Sequence, residues 1–337
     1  MAITVKEIAE LAGVSRGTVD RALKNRPGIS VETKKKILDI AEKYEYTPNI
    51  IGKALVYSGK RIKVAVVLNS IGNPFFDDVK RGIFAAADEF VNYGIEISLF
   101  EFKGYDAEKQ LEILNKLPKN IENIILTPIC CEKVQKAIAK LVKSGIHVVT
   151  LSSELENVER TVYVGCDYLK SGKVAGRLVG LLSGGKANLF VVTGSSQHKG
   201  HRQRVQGIRS ITENEYSDIN FIGSAENQDD DEIAYSTVSR VLNEHPEVDF
   251  VYIIAGGVNG TLRAIHDSGR KISVCSFDDT ESAKAALLNG SILATICQQP
   301  FEQGYQSVKA IFDTVVAKKK CREKNYSELS IKVDHSL

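Results

Sequence analysis

TVKEIAELAGVSRGTVDRALK, residues 4–24, sets two helical periods on either side of a glycine turn. Thr4 is placed to cap a helix, and Glu7, three residues on, to reach back to the cap's amide as in a capping box. Ile8, Ala9 and Ala12 then share one helical face. Ala12-Gly13-Val14 fits a tight turn, because Gly13 tolerates a positive φ that a β-carbon resists. Ser15 is a good N-cap for a second helix, in which Val19, Ala22 and Leu23 face inward while Arg16, Gly17, Thr18, Asp20 and Arg21 stay outside. Two short helices about a turn, the second with a polar, basic leading end, form a helix-turn-helix whose second helix can enter a DNA major groove. The plainer alternative is an amphipathic hairpin with a solvated face.

Working outward, Ser30 caps a third helix in which Ile37, Ile40, Ala41 and Tyr44 recur at i, i+3, i+4 and i+7, so three helices can share a small core. Pro48 suits the first turn of another short helix, since its missing N–H would be unpaired there. Gly52 inside that helix costs roughly 1 kcal/mol against Ala, so the segment should fray when alone. Taken together, these residues resemble the lactose-repressor (LacI) family, whose headpiece reads T-x-x-D/E-[VI]-A-x-x-A-G-V-S-x-x-T-V-S-R and whose hinge reads Y-x-P-N-x-x-A-x-x-L. The matches are Thr4, Glu7, Ile8, Ala9, Ala12-Gly13-Val14-Ser15, Thr18-Val19, Arg21, Tyr46, Pro48-Asn49 and Leu55. The resemblance implies base contacts from Arg16, Gly17 and Arg21, phosphate contacts from Thr4, Ser15, Thr18, Lys24 and Thr33, and a hinge helix bearing Asn49 whose Leu55 wedges into the minor groove. Asp20 departs from the family's usual Ser.

A chain of 337 residues is more than one ordinary domain. The net charge of +2 is unevenly spread: residues 1–60 hold 11 Lys and Arg against 7 Asp and Glu, and the remainder holds 33 against 35. The basic excess lies where phosphate contacts need it. The six cysteines form no C-x-x-C pair and no disulfide-framework spacing, as expected of reduced core thiols in a cytosolic protein. Neither a signal-peptide pattern nor an 18-residue apolar run occurs, so secretion and membrane spanning are not expected.

After Ser58-Gly59-Lys60-Arg61 the rhythm changes. Val64–Leu68, Ile95–Phe100, Ile124–Leu126, His147–Leu151, Leu189–Val192, Phe250–Ile254 and Ile272–Phe277 read as strands, and amphipathic helices lie between them. Such alternation means parallel sheets covered on both faces, and the length calls for two lobes around a cleft. The expected fold is therefore a small all-α helix-turn-helix headpiece (1–46), a hinge helix and linker (47–61), and an α/β domain of two doubly wound parallel-sheet lobes (62–337). Lobe 1 is assigned to about 62–161 and 293–320, lobe 2 to about 162–292 and the C-terminal segment.

Asn73-Pro74-Phe75-Phe76-Asp77 follows the first strand; an amide and two aromatics at a cleft mouth suit a sugar, with its apolar C–H face and polar edge, or else form a Pro turn with two core phenylalanines. Residues 63–316 resemble the ribose-binding type of periplasmic sugar receptor, the fold shared by LacI-family effector domains. The resemblance implies ligand contacts from Asn73, Phe75, Phe76, Arg204, Asp278 and Gln298. Ser152 stands where that family has an Asp, Ala255-Gly256 where an Asn-Asp pair is usual, and Asp229 where an aromatic is usual. A serine makes fewer and weaker contacts than a carboxylate, so a modified or less hydroxylated sugar, or an anion answering to Arg204, is expected.

Other constellations are weaker. Gly180 to Lys186 mimics a phosphate loop, but Ala187 follows it and it runs from helix into strand. His198 and His201 have a metal-like spacing without a third ligand, and read as a solvated basic loop. No nucleophile–base pair stands out, so no catalytic residue, metal or cofactor is assigned. The expected protein is a cytoplasmic, homodimeric, DNA-binding repressor answering to a sugar or sugar derivative; a sugar receptor without a DNA role and a sugar-modifying enzyme are the alternatives.

Overall fold

The computed structural model describes residue 3 and residues 5–23, 26–44, 61–155 and 158–336. The chain divides into two compact units, residues 1–60 with 92–94 and the remainder. In the first, helices α1 (Val5–Ala12), α2 (Arg16–Leu23) and α3 (Val31–Lys43) close on Ile8, Ala9, Ala12, Val19, Ala22 and Ile37. Ser30 caps α3 by accepting the Thr33 N–H at 3.1 Å. Lys36 Nζ ties α3 to the end of α1 by donating to the Ala12 carbonyl at 3.1 Å. Thr4, Lys24, Asn49, Leu55 and the whole expected hinge over 48–56 lie outside the described residues.

The second unit holds two six-stranded sheets of matching order. The first runs β11 (Lys324–Tyr326), β5 (Val162–Gly165), β4 (His147–Leu151), β3 (Asn123–Leu126), β1 (Ile62–Ile71), β2 (Ile95–Lys103), all parallel. The second runs β12 (Ser330–Lys332), β10 (Ala294–Cys297), β9 (Ser273–Phe277), β8 (Phe250–Ile253), β6 (Lys186–Thr193), β7 (Asp218–Glu226), parallel except that β12 is antiparallel to β10. Central strands such as β3, β8 and β10 are buried along their whole length, which is why they read as unbroken apolar runs. Helices α4 (Phe75–Glu89), α5 (Ala107–Lys116) and α6 (Glu132–Lys143) serve the first sheet; α7 (Tyr168–Leu182), α8 (Lys199–Glu215), α9 (Asp231–Glu244), α10 (Val258–Asp267) and α11 (Glu281–Leu288) serve the second. Helix α12 (Pro300–Val315) returns to the first lobe and packs on α4.

The lobe boundaries differ from those expected. Strand Ala294–Cys297 pairs with β9, so it belongs to the second lobe, and Val162–Gly165 pairs with β4, so it belongs to the first. The chain changes lobes after β5, after β10 and after β11. Each sheet reverses its winding between its first and third strands, and open α/β sheets hold ligands outside the carboxyl ends at such points.

Candidate functional site

The helical unit presents one polar face. α1 ends with Gly13 at φ +69° while the Val14 N–H donates to the Ala9 carbonyl at 3.0 Å, a left-handed helix cap that no β-branched residue would accept. Ser15 Oγ then accepts the Thr18 N–H at 3.1 Å and starts α2. Arg16, Gly17 and Arg21 are exposed on α2, and Thr18 and Asp20 are half-buried. Arg26 Nη1 stands 3.9 Å from Asp20, so a cation accompanies the carboxylate on this face. Thr33, in the first turn of α3, is half-buried beside its cap.

The cleft is built from loops at the carboxyl ends of strands in both lobes. A cavity of about 340 Å³ is lined by Asn73 and Phe75 after β1, Lys103 at the end of β2, Asp229 and Asp230 after β7, Ala255-Gly256 after β8, and Asp278 after β9. Of the expected ligand residues, Asn73, Phe75, Asp229 and Asp278 therefore meet at one cavity. The other four stand behind its wall. Phe76 is buried edge-on to Phe75, their ring centres 5.2 Å apart. Ser152 is buried at φ +56° and donates to Gln303 Oε1 at 2.8 Å, so its hydroxyl is used within its own lobe. Gln298 donates to Asp278 Oδ2 at 3.0 Å and fixes that carboxylate.

Arg204, on α8, is 2% exposed. Its guanidinium lies 3.8 Å over the Phe277 ring and 4.8 Å from the Tyr168 ring. Nη1 donates to the Ile254 carbonyl at 2.8 Å, Nε reaches Ser171 Oγ at 3.4 Å, and Nη2 has no hydrogen-bond partner. Asp278 is 9% exposed, sits at φ +65°, and leaves Oδ1 without a partner. Burial pushes its carboxyl up to about 6, against the pull of Arg204 and Gln298.

Asp229, at the position where an aromatic is usual, spans the cleft. Its Oδ2 accepts the Tyr105 hydroxyl at 2.5 Å and the Asn73 amide at 3.2 Å, both from the first lobe, while Oδ1 accepts the Gly256 N–H at 2.8 Å within the second. Asp229 is held at φ +57° by its N–H donating to Asn227 Oδ1. A β-carbon at position 256 would stand 3.0 Å from that of Asp229, closer than ordinary van der Waals contact, so Gly256 relieves crowding at Asp229. Lys103 and Asp230 add a second cross-cleft contact at 3.4 Å.

His198 and His201 are not the solvated basic loop that their sequence context suggests. The two rings are 8% and 7% exposed at the start of α8 and stack at 4.3 Å, with Tyr105 and Tyr168 edge-on to His198. His201 Nδ1 lies 3.1 Å from the Ser195 N–H and 3.2 Å from the Ser195 carbonyl, so the backbone of Ser195 holds the ring. Burial and Arg204 bring His201 down to about 3; burial and His201 hold His198 well below its ordinary value. Tyr105 and Tyr168 are functional neighbours that sequence reasoning misses; Gly104-Tyr105-Asp106 carries only a turn signal.

Residues 4–49 match the family described as bacterial regulatory proteins, lacI family, and residues 64–319 the periplasmic binding protein domain. The chain belongs to the periplasmic binding protein domain family and carries a lacI-family helix-turn-helix segment at residues 4–49. Similar proteins include the HTH-type transcriptional regulator DegA of Bacillus subtilis, 29% identical over 63% of this chain and 61% of DegA. The probable HTH-type transcriptional repressor ExuR of the same organism is 28% identical over 82% of each chain. Among solved structures, GanP, a glucose-galactose binding protein from Geobacillus stearothermophilus, superimposes with a TM-score of 0.77 at 24% identity, covering 82% of this chain and 99% of GanP. That likeness places the second unit in the two-lobed binding-protein fold. Among the described residues no helix is long and apolar enough to cross a membrane.

Proposed function

We propose that this chain is a repressor whose affinity for operator DNA is set by a small polyhydroxylated ligand in the inter-lobe cleft. One observation supports this most: a single chain carries both a helix-turn-helix with Arg16, Gly17 and Arg21 exposed on its second helix and a polar, carboxylate-lined cleft at the switch points of two sheets. Arg16, Gly17 and Arg21 face base edges, and Ser15, Thr18 and Thr33, with Thr4 and Lys24, face phosphates. One headpiece reads a half-site, so two chains act together on a pseudopalindrome. The sequence over 48–56 supplies the hinge, with Asn49 and Leu55 at the minor groove. Closure of the lobes on a ligand changes operator affinity by coupling on the usual scale of about 1–3 kcal/mol.

The cleft lining argues for hydroxyl and amine donors over an anion, since carboxylates outnumber Lys103 there and Arg204 lies behind Phe277. A gel-shift titration against a library of palindromic duplexes, with and without candidate ligands, tests the reading. The expected result is a specific shift that a ligand strengthens or relieves. Binding of ligand without any duplex shift would mean a receptor without a DNA role.

A further inference from the structure

The cleft carries more negative charge than a neutral sugar needs. Asp229, Asp230, Asp231, Glu232 and Asp278 line it against one ammonium, Lys103. Three of these carboxylates are already engaged. Lys103 reaches Asp230 at 3.4 Å, Arg263 reaches Glu232 at 2.8 Å, and Asp231 accepts the Gly260 N–H at 3.1 Å and the Asn259 amide at 3.2 Å. The remaining two differ. Asp229 receives hydrogen bonds from neutral donors, the Tyr105 hydroxyl, the Asn73 amide and the Gly256 N–H, and its Oδ1 takes only one of them. Asp278 keeps Oδ1 without a partner although the side chain is 91% buried. A buried acceptor left without a donor costs about 1–3 kcal/mol, which a ligand that brings the donor recovers.

Resting on the reading of this cleft as the effector site, we propose that it takes a polyhydroxylated ligand bearing a protonated amine, an amino sugar or amino polyol, whose ammonium faces Asp229 and Asp278. Three N–H donors on one cation suit two acceptors that neutral groups leave incompletely answered. Arg204 offsets part of the charge of Asp278 from behind Phe277, and the lining stays anionic with that charge included. A sugar acid would bring its carboxylate up to Asp229 and Asp278 and be repelled. Among the described residues no three acidic, imidazole or thiol groups converge as a metal cage, so an organic cation fits better than a metal ion. The specificity device is the exchange at positions 229 and 256: removing the side chain at Gly256 makes room for a carboxylate brought in by Asp229.

The test uses the full chain at pH 7 in thermal-shift and calorimetric titrations. Glucosamine, galactosamine and mannosamine are each set beside the neutral hexose and the hexuronic acid. The expected result is an amino sugar that binds at least tenfold tighter than its neutral parent, with its uronic acid giving no shift. Asp229→Asn should reduce that preference to near unity; if it fails to fold, Asp278→Asn serves, with the same expectation. A uronic acid or a neutral sugar that binds as well as its amino counterpart overturns the inference and leaves the carbohydrate-responsive reading standing. No shift from any of these compounds overturns both, and a preference unchanged in the variant overturns the assignment of the ammonium to the substituted carboxylate.

Discussion

Tyr105 of the first lobe donates its hydroxyl to Asp229 of the second at 2.5 Å, so the two halves of the cleft are bonded through a carboxylate that belongs to the protein itself. Burial and the charge of Asp229 hold the Tyr105 phenol well above its ordinary value, which keeps it a donor through the physiological range. A hydrogen bond to a charged group contributes about 1.5–3 kcal/mol. Tyr105→Phe should therefore favour the open arrangement, leaving Asn73 as a first-lobe donor to Asp229. Hydrogen exchange reads this directly: amides in residues 227–231 should exchange faster in the variant without ligand. Equal protection would show that the contact does not hold the lobes together.

Arg204, expected at the ligand, stands behind the cavity wall and holds it in place. The side chain is sandwiched by Phe277 and Tyr168 and donates to the Ile254 carbonyl at 2.8 Å. Arg204→Ala removes the stack and leaves that carbonyl without its donor, which alone costs about 1–3 kcal/mol. The melting temperature of the α/β unit should fall and its ligand-induced shift should vanish. Operator binding at low temperature should survive, because the helical unit has its own core of Ile8, Val19 and Ile37. Melting curves with and without ligand, alongside a duplex gel shift, separate these outcomes; an unchanged ligand response would take Arg204 out of the site.

The central strands and the helix-turn-helix are legible in the sequence for the same reason: their apolar residues recur at the period of the element they form. Helix α8 is not, because its buried stripe is Gly200, His201, Arg204, Gly207, Ile208 and Thr212, mostly polar or lacking a side chain. The same residues make a buried histidine pair read as a solvated loop. Strand β7, at one edge of the second sheet, is largely half-exposed and lacks a continuous apolar run. Ala294–Cys297 is too short an apolar run to stand out as a strand, and its sheet cannot be read from it, since such a run reads alike in either lobe and only pairing with β9 decides. Asp229 matches an aromatic position poorly because its partner is Gly256, a residue notable for what it lacks.

Operator recognition separates by residue. Arg16 is exposed at the start of α2, and Thr33 stands beside the Ser30 cap of α3. Arg16→Ala should cost about 1–3 kcal/mol and relax sequence preference at one base position in each half-site. Thr33→Val, which keeps the bulk of the side chain, should weaken binding nearly equally for all duplexes. Selection from a randomised operator library compares the two. A Thr33 variant with altered sequence preference, or an Arg16 variant with none, would reverse the two roles.

Acid titration should isolate Asp278. Its carboxyl is raised from an ordinary 3.8 to about 6 by burial, with Asp279 and Asp229 raising it further and Arg204 and Gln298 opposing. A raised carboxyl binds its proton more tightly in the folded state, so its contribution is fully present below about pH 4 and is lost as pH rises through about 6. At pH 7 the charged Asp278 costs on the order of 3 kcal/mol, at about 1.4 kcal/mol per pH unit. His198 and His201 act in the opposite sense: held neutral in the folded state, they withdraw stability as pH falls below about 6.5. The wild-type curve mixes both effects, so the informative quantity is the difference between Asp278→Asn and wild type. Asn can still accept from Gln298, but it has no charge to bury. The variant should melt roughly 6–12 °C higher at pH 7, at about 2–4 °C per kcal/mol, and the gap should close near pH 4. A gap that stays constant with pH, or a variant less stable at pH 7, would show that the buried charge of Asp278 is already compensated in the empty cleft.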